Sequence, residues 1–100
     1  MIRVDLYGAP DCGLCDEVKA TLLRVRREIP FELHEVDTTA TPELAETYRE
    51  RIPLVWINGR LAFKFRVDEV GLRRRLLRDR WAARLARLVS PRVREAPPAD

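Results

Sequence analysis

The stretch Leu6-Tyr7-Gly8-Ala9-Pro10-Asp11-Cys12-Gly13-Leu14-Cys15 carries a strand into a loop and the loop into a helix. Upstream of it, Ile2, Val4 and Leu6 alternate with Arg3 and Asp5, the two-residue period of a half-buried strand, and Gly8-Ala9-Pro10 ends the run. Downstream, Leu14, Cys15, Val18, Leu22 and Val25 recur with the period of an amphipathic helix, predicted from Cys12 to Glu28. Asp16 and Glu17 occupy its first turn and Arg24, Arg26 and Arg27 its end, which complements the helix dipole. Two cysteines spaced Cys-x-x-Cys therefore fall where a strand meets a helix N-terminus.

Pro30 stops this helix and Phe31 to Asp37 reads as a second strand, so the chain opens with a βαβ unit. Thr41-Pro42-Glu43-Leu44 joins a cap residue to a proline at the first helical position and predicts a short helix reaching Glu50. Leu54 to Ile57 and Leu61 to Phe65 are β-rich runs joined at Asn58-Gly59, a dipeptide suited to the positive φ of a tight hairpin. A last helix opens at Asp68. Val70, Leu77, Trp81, Leu85 and Leu88 fall on one helical row and Arg73, Arg80, Arg84 and Arg87 on another, until Ser90-Pro91 ends it. Trp81, Leu85 and Leu88 are expected to bury against the sheet or a second copy, which makes this helix the place for a homodimer contact. The predicted organisation is one domain over residues 1–90 and a proline-rich, disordered tail over 91–100.

A chain of 100 residues, 46% of them apolar, supports one buried core and excludes two domains. Charges interrupt every window of about 18 residues, so a membrane-spanning helix is excluded. Two cysteines are too few for a disulfide scaffold, and Met1-Ile2-Arg3-Val4-Asp5 begins no apolar leader, so the expected compartment is the cytoplasm. The net charge of +3 is unevenly placed: residues 71–94 hold nine arginines against Asp79 alone. Arginine outnumbers lysine 17 to 2 over the whole chain, so much of that richness is a chain-wide habit and a solvated face explains most of it. An acidic macromolecular partner comes second and membrane contact last. No set of base-stacking aromatics accompanies the arginines, which argues against nucleic acid.

The order β-α-β-α-β-β-α, the approach Tyr7-x-x-Pro10-x-Cys12-x-x-Cys15 and the run Arg51-Ile52-Pro53-Leu54 before the hairpin together resemble the glutaredoxin and thioredoxin families. The resemblance covers roughly residues 1 to 80 and is more similar to the glutaredoxin-like branch. It implies an α/β, thioredoxin-like fold: a four-stranded mixed sheet flanked by helices, with the arginine-rich helix last and a cis-proline, Pro53, facing the dithiol. It also implies a thiol-disulfide oxidoreductase with no bound cofactor and no metal.

Thiol-disulfide exchange needs a thiolate that attacks and a second thiol that releases the mixed disulfide. Amide groups and the dipole at the helix N-terminus favour a thiolate at Cys12, and Cys15 lies on the same face, deeper in the turn. Cys12 is thus expected to attack and Cys15 to resolve. Asp11, Asp16 and Glu17 crowd the site with negative charge, so the thiol is expected to be less acidic than in the strongest oxidants of the fold. Two other readings stand beside this one: inert thiols, or a zinc half-site completed by another copy, His34 being the only other soft ligand. His34 itself reads as an ordinary, partly exposed strand residue.

The resemblance assigns further roles. Ile52 pairs its main chain with an incoming substrate strand beside Pro53. Arg51, just before them, reads either as a solvated surface residue or as an anchor for a substrate carboxylate. Val4-Asp5-Leu6-Tyr7 is similar to the thioredoxin strand that buries a carboxylate beneath the resolving cysteine. Asp5 would accept the Cys15 proton if buried, and is a solvated strand residue if exposed. The pattern that holds glutathione is incomplete: Ala9 replaces a basic residue, and Arg66-Val67-Asp68-Glu69 replaces a Gly-Gly-x-x-Asp turn, leaving Asp68 or Glu69 as the helix-N-terminal carboxylate. The expected partner is a disulfide-bearing protein or glutathione, with glutathione open as the reductant. The competing class is a redox-silent binding module that docks an acidic partner through its basic last helix.

Overall fold

Seven elements follow in the order read from the sequence in the computed structural model, which describes residues 1–89. They are β1 (Arg3–Gly8), α1 (Gly13–Arg26), β2 (Glu32–Asp37), α2 (Pro42–Tyr48), β3 (Leu54–Ile57), β4 (Arg60–Lys64) and α3 (Glu69–Val89). The strands form one sheet in the order β2-β1-β3-β4, with β1 parallel to β2 and antiparallel to β3, a mixed sheet as expected. The tail over 91–100 and the Ser90-Pro91 stop lie outside the described residues. No described helix is long and apolar enough to cross a membrane.

Alternation along the strands decides what each face carries. Val4 and Leu6 of β1 stand opposite Ile57 and Val55 of β3, and these four pack with Val18, Leu22 and Val25 of α1 and Leu72 and Leu76 of α3. Phe31 and Ile29 close this core between α1 and β2. On the other face, Tyr7 meets Tyr48 of α2 edge-on at 5.1 Å and Trp56 at 5.9 Å. Thus α1 and α3 cover one side of the sheet and α2 the other.

The hairpin forms where the Asn-Gly pair predicts it, with φ of 51° at Asn58 and 81° at Gly59. A register shift between Val55 and Trp56 lets β4 begin at Arg60, one residue early. Phe65, expected as the strand's last residue, instead turns away with φ 66° while its amide donates to the Pro53 carbonyl at 2.7 Å.

Burial along α3 corrects the expectation that the row through Trp81 packs on the sheet. Leu72 and Leu76 are 0% exposed, whereas Val70, Leu77, Trp81 and Leu85 are 58, 42, 59 and 52% exposed. At about 100° per residue Trp81 lies roughly 180° from Leu72, so the expected core row faces solvent. Leu72 and Leu76 stand one turn apart and reach the sheet first, and Arg84 spreads over the outward Trp81 ring at 5.6 Å. The side chain of Leu88 lies outside the described residues.

The C-terminal end of α1 is tied to the start of α3 by charge. Arg73 bonds both Glu28 and Glu69, and Arg24 reaches Glu69 at 2.9 Å. The Arg73 hydrogen bond and charge hold Glu28 below its ordinary 4.5, and hydrogen bonds from Arg24 and then Arg73 do the same for Glu69. A carboxylate whose pKa is lowered by folding adds stability above its unfolded pKa, and that stability fades as pH falls through the lowered folded value. We expect Arg73→Leu to be modestly less stable than the parent at about pH 7, with the gap closing by about pH 3 in urea titrations. A gap equally wide at both pH values would show that Arg73 acts by packing alone.

Candidate active site at the Cys12 and Cys15 pair

Cys12 is the N-cap of α1: its backbone is extended, with φ −116° and ψ 106°, and its Sγ accepts the Cys15 amide at 3.1 Å. Asp11, with φ 58°, makes the turn that delivers Cys12 to the helix end; aspartate is one of the few side chains that adopts this geometry readily. Cys15 lies behind Cys12, 6% exposed, and the two are joined by a disulfide with Cα atoms 5.2 Å apart. A dithiol this close can open and close without moving its backbone far.

Gly8 makes room for that arrangement. A Cβ at Gly8 would stand 3.1 Å from the Cys15 sulfur and 3.3 Å from its Cβ, so any side chain at the end of β1 would push against Cys15. The Gly8 carbonyl accepts two bonds from Thr38, from the amide at 2.8 Å and the hydroxyl at 3.2 Å. Thr38 is the buried polar residue among those described, and it fixes the end of β2 to the loop that carries the dithiol. Sequence reading passed over it, because a threonine after a strand looks like any polar loop residue.

The Ile52-Pro53 bond is cis, as the resemblance implies, and Pro53 is buried. Ile52 and Ala9 together line a cleft of about 330 Å³ whose far wall is α2, with Pro42, Ala45 and Arg49 facing in. The loop before the cysteine pair and Ile52 are thereby brought to one place. Arg51 is exposed, with its amide donating to the Tyr48 carbonyl at 2.9 Å, and it does not line this cleft. The cation that does is Arg49, which the sequence reading did not single out; the helical spacing of Pro42, Ala45 and Arg49 was the available signal. The Asp68 carboxylate accepts the Gly71 amide at 3.1 Å and so caps its own helix. His34 is half-buried on β2, its Nε2 lying 3.1 Å from Glu32.

Asp5 does not reach Cys15, which corrects its reading as a proton acceptor. Cys15 packs against Gly8, and Gly8 lies an odd number of positions along β1 from Asp5, so the two point to opposite faces of the strand. Asp5 stands opposite Trp56 and binds Arg3 at 3.1 Å. The charged groups on the Cys15 side are others: Lys19 of α1 and Glu35 of β2, paired at 3.1 Å, line a second cavity that reaches Cys15, together with Asp16 and Asp37.

A mixed sheet in the order β2-β1-β3-β4, a Cys-x-x-Cys at the N-cap of its first helix and a cis-proline entering β3 define a thioredoxin-fold protein with a disulfide-capable cysteine pair. Residues 3–77 match the family described as Glutaredoxin-like domain (DUF836), and the chain belongs to that family. Proteins of Mycobacterium tuberculosis and Mycobacterium bovis are 27% identical to it over 86 residues, covering 81% of this chain and 89% of theirs. Among solved structures, chloroplastic thioredoxin z superposes with a TM-score of 0.66 at 14% identity, covering 81% of this chain and 80% of that one. Fasciola hepatica thioredoxin superposes at 0.56 with 26% identity, covering 77% and 79%.

Proposed function

We propose that this protein is a glutaredoxin-like thiol-disulfide oxidoreductase acting on protein disulfides. The observation that carries the reading is the Cys12 sulfur at the N-cap of α1, accepting the Cys15 amide, with Cys15 directly behind it. That amide and the helix dipole favour an anionic sulfur at Cys12, the form that attacks. The Cys12 thiolate attacks a substrate disulfide and one substrate thiolate leaves. Cys15 then displaces the other sulfur, giving a reduced substrate and the Cys12–Cys15 disulfide. A substrate strand lies along Ile52 beside Pro53, its flanking side chain entering the α2 cleft near Arg49.

A protein substrate suits this site better than glutathione. Ala9 offers no cation before the motif, and the Asp68 carboxylate is engaged by the Gly71 amide. Glutathione then serves as a reductant of the disulfide, and the cycle needs no bound cofactor. Redox titration in glutathione buffers, with acid quenching, alkylation and intact-mass readout, tests the reading. We expect one reversible two-electron transition with a midpoint between about −270 and −120 mV. Thiols that stay reduced throughout the series would overturn the proposal, and a glutathionylated species would place glutathione on the reaction path.

A further inference from the structure

The outer side of α3 carries an apolar stripe and a set of arginines in one heptad pattern. Val70, Leu77, Trp81 and Leu85 are large side chains left exposed, and at about 100° per residue they fall within an arc of roughly 80°. Along the helix the stripe runs for about 22 Å. We propose that it docks one acidic amphipathic helix of a partner protein, whose carboxylates face Arg74 and Arg84. This inference does not depend on the oxidoreductase reading above.

The width of the stripe selects a single helix as occupant. A helix face that packs on a domain core spans about 100° or more, and the seam between two paired helices is narrower. In heptads, Val70 and Leu77 fall at d and Trp81 at a, with Leu85 beside them at e. Arg74 takes the preceding a position and Arg84 the following d position, so the seam itself contains two cations. Arg84 spreads over the Trp81 ring, which sets its guanidinium on the stripe. The flanking e and g positions hold Arg78 and Arg80.

Charge decides what that helix carries. Among the described residues Arg74 and Arg80 make no ion pair. Asp79 lies on the inner side of α3, 3.5 Å from Arg75, and accepts the Asn58 side-chain amide at 3.2 Å. The stripe is thus interrupted and flanked by positive charge. A second copy fits it badly: parallel pairing in register sets Arg74 against Arg74, and antiparallel pairing about Asp79 sets Arg74 against Arg84. Like charges in a seam that excludes water cost affinity in either direction. A lipid surface offers phosphates at its rim, but Arg74 lies within the stripe between Val70 and Leu77 and would be carried down with them. A carboxylate on a facing helix meets Arg74 where it stands.

Docking there leaves the dithiol open. Arg80, Ala83 and Arg84 line a cavity with Met1, Ile2 and Pro30, at the end of the sheet where β1 begins. Cys12 follows the other end of β1. The surface therefore recruits a partner without covering the cysteine pair.

The probe is a synthetic peptide of about three heptads with leucine at a and d, glutamate at the two seam positions facing Arg74 and Arg84, and glutamate at e and g. We expect Trp81 emission in the full chain to move to shorter wavelength and saturate, equally in Cys12→Ser, and the shift to vanish in Trp81→Phe. Arg74→Glu combined with Arg84→Glu should weaken binding about tenfold or more, and the same peptide with lysine for glutamate should bind that variant better than the parent. Far-UV circular dichroism matching the parent's reports that the exposed-site variants are folded. No binding, equal binding of a scrambled peptide of the same composition, or an unaltered affinity in the double arginine variant overturns the assignment. Sedimentation velocity should find the chain alone monomeric, and the chain should not float with phosphatidylcholine–phosphatidylglycerol vesicles. A dimer that Leu77→Ala dissolves would give the stripe to a second copy, and flotation with the vesicles would give it to a membrane; either result overturns the proposal.

Discussion

Cys12→Ser is expected to reduce disulfide exchange to the uncatalysed background while leaving the domain folded. The serine hydroxyl is one of the best N-cap groups and can accept the Cys15 amide as the sulfur does, so the start of α1 is kept. Compared with the reduced parent, unfolding free energy should change by less than about 1 kcal/mol. A hydroxyl near neutral pH is nevertheless no substitute for a thiolate, and the first covalent step is lost. Cys15→Ser separates the roles: Cys12 still attacks, the mixed disulfide cannot be resolved, and the protein should gain the mass of the substrate fragment that carries the captured sulfur. Turnover assays with both variants, read by intact mass, check this. Exchange that survives in Cys12→Ser would remove Cys12 from the mechanism.

The second large effect concerns one helix and two neighbouring leucines. Leu76 is 0% exposed within the core and Leu77 is 42% exposed on the outer side of α3. Leu76→Ala removes buried methyl groups and leaves a cavity, at a cost of about 2–5 kcal/mol. Leu77→Ala touches none of the core and should stay within about 0.5 kcal/mol of the parent. In a domain of this size 1 kcal/mol is worth about 4–8 °C in melting temperature, so calorimetry resolves the two variants easily. Equal losses would mean that α3 is rotated on the sheet relative to the arrangement described.

That contrast also shows where sequence alone falls short. The strand alternation from Ile2 to Leu6, the Thr41-Pro42 cap and the Asn58-Gly59 hairpin were legible, because each is a local rule obeyed by neighbouring residues. The rotation of α3 was not. Leu72 and Leu76 form one helical row and Val70, Leu77, Trp81 and Leu85 another, and periodicity cannot say which row meets the sheet. Cys12 and Cys15 were legible from spacing and from their place at a strand-helix junction. The side of β1 on which Asp5 falls depends on where Cys15 packs, and that contact is made by Gly8. Thr38, Arg49 and the Lys19–Glu35 pair reach the site from segments far along the chain, so no local pattern announces them.

Because one sulfur both caps α1 and forms half of the disulfide, oxidation and folding are two legs of a single thermodynamic cycle. The difference in unfolding free energy between dithiol and disulfide forms must equal the difference in reduction potential between the folded and unfolded couples, about 1.4 kcal/mol for every 30 mV. The Cys15 amide bond, which favours an anionic sulfur, stabilises the reduced fold more than the oxidised one. It therefore biases the folded pair toward giving up its disulfide. Denaturation curves for the two forms would accordingly serve as an electrochemical measurement, with the first turn of a helix as the electrode.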